Sequence, residues 1–101
     1  MQNNNFIENV LRRWIVTSDE YVPKGSVIEL REYAGEKDAV IPLDSQHILD
    51  SVVIVKPKDE YLVTIATIDG EEVRTVELMT DDDFATLNKL EQAGQLREVD
   101  F

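Results

Sequence analysis

The sequence contains no cysteine, and its 101 residues include only four glycines, three prolines, one tryptophan and one histidine. Without cysteine, neither a disulfide framework nor a thiolate metal site can form. The longest apolar run, Val52–Val55, is far shorter than the roughly 20 residues that cross a bilayer. The N-terminal segment lacks the basic and apolar regions of a signal peptide. We therefore expect a cytoplasmic protein.

Positive charge is also scarce. The chain has 21 Asp and Glu residues against 10 Lys and Arg residues, which gives a net charge of −11. A protein this acidic is unsuited to bind a phosphate backbone or an anionic membrane surface, because both require positive charge. We expect a basic protein as partner, with no direct contact to nucleic acid or membrane.

The excess negative charge is concentrated in one quarter of the chain. Residues 59–83 contain nine acids and one base and carry −8, whereas residues 1–58 carry −2 and residues 84–101 carry −1. If this segment folds compactly, its acids form a single outward surface. The predicted partner-binding residues are these nine: Asp59, Glu60, Asp69, Glu71, Glu72, Glu77, Asp81, Asp82 and Asp83.

The length and the 43% hydrophobic composition predict one domain over residues 1–101 with a modest core. Near the N-terminus, apolar residues recur at spacings of three and four. This period predicts an amphipathic helix over about 4–14, capped by an asparagine of residues 3–5, with Trp14 in the core. The five apolar positions are Phe6, Ile7, Val10, Leu11 and Trp14.

The middle of the chain predicts strands. The segment "SVIELREY" alternates apolar and polar residues, which is typical of a half-buried strand, and "AVIPL" predicts a short one. The segments "SVVIV", "EYLVTIATI" and 71–78 predict a three-stranded antiparallel meander. The "DG" at 69–70 predicts a type I′ turn, which places Ile68 opposite Glu71 and Ala66 opposite Val73.

A second helix is predicted over about 81–92, with Thr80 or Asp81 at its N-cap and Gly94 in a left-handed conformation after its end. The segment "QLREVDF" predicts a last strand. The expected fold class is α+β, with an antiparallel sheet of about five to seven strands and helices near both ends of the chain. Closure of the strands into an SH3-like or OB-like barrel is the alternative.

No motif indicates chemistry. Helix capping explains one or two aspartates of the 81–83 run, and their side chains diverge too much for a dedicated metal site. His47 lies near Ser45, Asp44 and Asp50, but no nucleophile-elbow glycines accompany them, so we interpret it as a turn or surface residue. No glycine-rich phosphate loop is present. We predict no catalytic, cofactor-binding or metal-binding residues, and no enzyme activity.

Small size, lack of cysteine, a charge of −11 and a contiguous acidic hairpin and helix start resemble the small acidic DNA-mimic proteins that phages encode. That class includes inhibitors of the nucleoid protein HU and of restriction and other DNA-binding enzymes. The resemblance is one of charge and size over the whole chain. It implies a non-enzymatic inhibitor, often a homodimer, that occupies the DNA site of a basic protein in the bacterial host cytoplasm.

A different class of function is also compatible with the sequence. The chain can be a protein-interaction module, such as an immunity protein, an antitoxin or an accessory subunit, whose acidity is incidental. Such a module would bind through apolar surface or a sheet edge, and its affinity would not depend on salt.

Overall fold

A computed structural model of the chain describes residues 7–42 and 52–100, which form seven strands and one helix. Strands β1, β2, β5, β6 and β7 form an antiparallel sheet in the order β6-β5-β2-β1-β7, and β3 and β4 form a separate antiparallel pair. The elements are β1 (Glu8–Val16), β2 (Val27–Tyr33), β3 (Ala39–Pro42), β4 (Val52–Val55), β5 (Glu60–Ile68), β6 (Glu71–Leu78), α1 (Asp81–Gln92) and β7 (Leu96–Val99).

The five-stranded sheet is covered on both faces. Helix α1 packs on one of them, the helix face, and the β3–β4 pair packs on the other, the hairpin face. The helix-face core consists of Trp14, Val16, Leu30, Leu62, Leu87 and Leu96. The hairpin-face core consists of Tyr33, Val55, Tyr61, Val63 and Val76. Because both faces are covered, three consecutive residues of β5, 61–63, are all buried.

The prediction of a helix over residues 4–14 is wrong, since residues 8–16 form strand β1. A bulge at Leu11, between the pairs Val10–Arg31 and Arg12–Leu30, shifts the side-chain alternation. Val10 therefore lies on the hairpin face, whereas Trp14 lies on the helix face and is fully buried. The apolar residues of β1 face both sides of the sheet, and the bulge between them gives the spacing of three and four that is typical of a helix. The predicted α+β fold with two helices is corrected to a largely antiparallel β fold with a single helix among the described residues.

The β5–β6 hairpin confirms the predicted turn and register. Asp69 and Gly70 have φ angles of 53° and 81°, and the pairs Ile68–Glu71 and Ala66–Val73 form as expected. The predicted three-stranded meander is wrong, because β4 pairs with β3 and β5 pairs with β2. The four consecutive apolar residues of β4 are typical of a strand, but nothing local in them specifies a partner strand. Strand β2 is central and covered on both faces rather than half-buried.

The C-terminal elements follow the prediction. Thr80 is the N-cap of α1, and Gly94 has a φ of 78° just beyond its end. Strands β6 and β7 are the two edges, so the sheet does not close into a barrel within the described residues. The predicted asparagine cap at 3–5, the His47 cluster at 44–50 and the C-terminal Phe101 lie outside the described residues.

An ionic network crosses the hairpin face. The Glu29 side chain is 6% exposed and accepts hydrogen bonds from Arg13 Nε at 2.7 Å and from the Arg31 guanidinium. Arg31 also pairs with Glu8, which accepts a hydrogen bond from the Tyr61 hydroxyl. A separate pair lies on the helix face, where Arg12 of β1 contacts Glu98 at 2.7 Å and lies 4.7 Å from the centre of the Trp14 ring.

Because of Tyr61, we expect the stability of the fold to depend on pH in the alkaline range. Burial and the hydrogen bond to Glu8 raise the pKa of Tyr61 well above its ordinary value of 10.0. A group whose folded pKa is raised contributes stability below its unfolded pKa and loses it as pH rises. We therefore expect the free energy of unfolding to fall above pH 10, by up to about 1.4 kcal/mol per pH unit from this residue.

Urea denaturation between about pH 8 and pH 11 measures this effect. The Tyr61→Phe variant should start from a lower stability, and its stability should decline less steeply than that of the wild type. Tyr21→Phe is the matched control, because Tyr21 is 72% exposed. If the free energy of unfolding declined equally steeply in the wild type and in Tyr61→Phe, ionisation of Tyr61 would not be the cause of the loss of stability.

Candidate acidic interface

The nine predicted partner-binding acids do not form one continuous surface. They lie at the two ends of the β5–β6 hairpin. The junction group surrounds the start of β5, the end of β6 and the start of α1; it consists of Asp59, Glu60, Glu77, Asp81, Asp82 and Asp83. The tip group surrounds the hairpin turn and consists of Asp69, Glu71 and Glu72.

The junction group is held by backbone hydrogen bonds between its segments. The Met79 amide donates to the Glu60 carbonyl at 3.0 Å, which extends the β5–β6 pairing to the beginning of the helix. In the preceding turn, the Asp59 carboxylate accepts a hydrogen bond from the Lys56 amide at 2.8 Å. The pairing of β5 with β6 therefore brings the acids of residues 59–60 and 81–83 to the same end of the sheet.

The three aspartates of the helix start have different roles. Asp83 accepts a hydrogen bond from the Thr80 amide at 2.9 Å, and its own amide donates to the Thr80 hydroxyl, which completes a capping box. Asp81 and Asp82 are exposed, and neither carboxylate has a partner among the described residues. Capping thus accounts for Asp83, and the helix dipole favours all three charges. Asp81 and Asp82 remain available to a cationic ligand.

A cleft of about 370 Å³ opens at this junction. Its acidic lining comes from Asp59, Glu60 and Asp81, and Lys58 contributes one positive charge. The remaining lining residues are Leu78, Met79, Thr80 and Phe84. Leu78 is 42% exposed, so the cleft presents apolar surface next to its carboxylates.

The tip group is fixed by the turn and by strand alternation. Asp69, Glu71 and Glu72 are all exposed. Glu71 lies on the helix face of the sheet, whereas Glu72 and Arg74 lie on the hairpin face. Of the four predicted acids on strands, Glu60, Glu71 and Glu77 share the helix face; Glu72 is the exception.

The distance between the two groups follows from strand geometry. At about 3.3 Å per residue, Glu72 and Glu77, the nearest strand acids of the two groups, are about 17 Å apart, and the whole of strand β6, Glu71–Leu78, is about 23 Å long. B-DNA carries a phosphate charge per about 1.7 Å of axis, or about 14 over that length. The nine carboxylates are fewer than that although they extend beyond both ends of β6, and they leave the middle of the hairpin without acids. The prediction of a single acidic surface is therefore wrong: the acids form two anionic patches, the junction group and the tip group.

Sequence reasoning missed one acid at the junction. Glu32 on β2 lies directly opposite Glu60 on β5, on the helix face. Its position depends on the pairing of β2 with β5, two strands that are far apart in sequence. By the alternation of "SVIELREY", Glu32 shares a face of its strand with Ile28 and Leu30, but this pattern does not indicate a neighbouring acid.

The acids of both groups are accessible. Asp59 and Asp83 are partly exposed, and the other seven are exposed. The four ion pairs among the described residues involve other acids, namely Glu8, Glu29 and Glu98. None of the nine acids of the two groups forms an ion pair with a lysine or arginine within residues 7–42 and 52–100.

Two further observations concern the described part of the chain. Its acidic residues include no set of three or more side chains arranged to hold a metal ion. Its helix, α1, has 12 residues and does not meet the length and apolarity that crossing a membrane requires. Comparisons with protein-family models, curated proteins and solved structures found no match to this chain.

Proposed function

We propose that this protein is a non-enzymatic DNA mimic that inhibits a basic DNA-binding protein, such as the nucleoid protein HU, by occupying its DNA site. One observation carries the proposal: nine accessible acids, none paired with a base among the described residues, lie along one hairpin and the helix that follows it. A homodimer, which the resemblance to phage DNA mimics implies, stays a prediction.

The geometry supports a partner with two cationic contacts. Two anionic patches at the two ends of a strand about 23 Å long match a groove that contacts DNA phosphates at two places, rather than one that reads a continuous backbone. Long-range attraction would steer the two proteins together, since net charges of opposite sign raise association rates. Rigid strands fix the spacing of the patches, which limits the partners that can engage both.

The salt dependence of binding tests this proposal. We expect the protein to displace a fluorescent DNA duplex from purified HU, with an affinity that falls tenfold or more between about 0.1 M and about 0.5 M NaCl. Salt has this effect because it screens the attraction between exposed charges. Fluorescence anisotropy at several salt concentrations measures the inhibition constant and its slope.

A second basic DNA-binding protein and an acidic protein of similar size should be titrated in parallel. An acidic protein that competes equally well would show that HU responds to net charge alone. Lack of competition at low salt would reject HU as the partner, and lack of competition with every basic protein tested would reject the mimic.

One observation favours the other class of function, an interaction module with incidental acidity. Val40 and Ile54 lie opposite each other on the β3–β4 pair and are 59% and 56% exposed. An apolar pair on an outer sheet surface is a contact that another protein can cover. Binding through this surface would be insensitive to salt, so the same titration separates the two functions.

A further inference from the structure

The cleft at the junction of β5, β6 and α1 has a lining that suits one kind of side chain. Its apolar lining residues are Leu78, Met79 and Phe84, and three acids, Asp59, Glu60 and Asp81, line the same cleft. A volume of about 370 Å³ is at the lower end of the range for sites that take small ligands, about 300–1,000 Å³. An occupant must therefore be compact, partly apolar and cationic.

We propose that this cleft receives an arginine side chain of the basic partner. The inference rests on the proposed function and names the contact that the junction group makes. An arginine has an apolar stem that Leu78 and Met79 can cover, and a planar guanidinium that pairs with carboxylates in a bidentate manner. The guanidinium also stacks on aromatic rings, which Phe84 provides and which a lysine uses less well.

Local contacts fix several of the residues that line this cleft. Phe84 and Met79 pack against the helix-face core, and the capping box fixes the first turn of α1. Lys58 has a φ of 74°, a left-handed conformation in the turn before β5, and it is the one cation among the residues that line the cleft. Its charge opposes a second cation, so the cleft binds arginine less tightly than its carboxylates alone would permit.

NMR titration of the ¹⁵N-labelled full-length chain tests the inference without HU. The probe is the blocked tripeptide acetyl-Gly-Arg-Gly-amide, with the lysine tripeptide as its control. We expect saturable shifts in the amides of residues 58–60 and 78–84, small shifts at 69–72, and tighter binding of the arginine peptide. Shifts of equal size at both ends of the hairpin would overturn the proposal, because they would reflect ion atmosphere alone.

Four substitutions extend the test. Glu60→Gln should weaken peptide binding about threefold, whereas Glu71→Gln, the same change at the tip, should leave it within about 1.5-fold. Lys58→Asn should strengthen binding about threefold, and asparagine tolerates the left-handed backbone. Phe84→Leu should remove the preference for arginine over lysine while keeping the apolar volume.

This experiment separates the cleft from the wider proposal. If HU is displaced from DNA in a salt-dependent manner but the peptide does not bind at 58–60 and 78–84, the cleft assignment is wrong and the mimic stands. If the peptide binds there with the expected response to substitution, the cleft assignment holds, whichever basic protein proves to be the partner.

Discussion

Replacing Glu29 with alanine should lower the free energy of unfolding by about 3 kcal/mol, because it leaves two guanidinium groups without their shared carboxylate. The Arg31 side chain is 13% exposed, so water cannot fully replace the lost partner. Arg13 loses the same carboxylate and is more accessible. Of the acids that form ion pairs among the described residues, Glu29 is the one whose removal should lower the free energy of unfolding most.

Glu98→Ala is the matched control, since Glu98 is also a strand glutamate paired with an arginine of β1. The Glu98 and Arg12 side chains are 38% and 36% exposed, and removing such a pair should cost less than about 1 kcal/mol. Urea denaturation near pH 7 compares the two variants. Equal losses would contradict the structural role given to the network on the hairpin face.

The same network predicts how stability responds to acid. Burial raises the pKa of Glu29, but hydrogen bonds from Arg31 and Arg13 outweigh this effect and hold the pKa below its ordinary value of 4.5. A group whose folded pKa is lowered contributes stability above its unfolded pKa and loses it as pH falls. The advantage of the wild type over Glu29→Gln should therefore shrink below pH 4.5.

The local features of the fold were predictable from sequence. The "DG" turn fixed the register of the β5–β6 hairpin, because a type I′ turn of two residues leaves one set of pairs. The end of that hairpin and the start of α1 were also specified locally, by Thr80 and the aspartates that follow it. Each of these signals acts over fewer than about ten residues.

The features that depend on distant pairing were not predictable. The bulge in β1 disrupts the alternation that identifies a strand, so Val10, Leu11 and Trp14 acquired the spacing of a helix. The pairing of β5 with β2 rather than β4 depends on which surfaces fit together in three dimensions. The sequence did indicate that β5 is an inner strand, because consecutive apolar residues such as 61–63 are typical of a strand covered on both faces, but it did not indicate the partner.

For the acidic interface too, the local features were predictable and the three-dimensional arrangement was not. The sequence identified the nine acids and their concentration in residues 59–83, but it did not indicate that the hairpin separates them into two groups. Consecutive strand residues such as Glu71 and Glu72 face opposite sides, and a strand of eight residues spans about 23 Å. Sequence proximity therefore overstated the continuity of the surface, and Glu32 was missed.

Neutralising five acids of the two groups should weaken binding to HU by about 100-fold or more near 0.1 M salt, since attraction between many charges acts collectively. The variant combines Glu71→Gln, Glu72→Gln, Glu77→Gln, Asp82→Asn and Asp83→Asn. Its free energy of unfolding should stay within about 1 kcal/mol of the wild type. Relief of repulsion offsets the weaker helix dipole interaction, and the amide oxygen introduced by Asp83→Asn can still accept from the Thr80 amide.

The control variant carries the same change in net charge outside residues 59–83. It combines Glu20→Gln, Glu36→Gln, Asp38→Asn, Glu91→Gln and Asp100→Asn. Competition with a fluorescent DNA duplex for HU, measured for both variants and the wild type, is the most direct test of whether the placement of charge matters. We expect the affinity for HU to fall about 100-fold for the hairpin variant and less than about tenfold for the control. Equal effects of the two variants would show that total charge, and not the acidic groups at the two ends of β5–β6, governs binding.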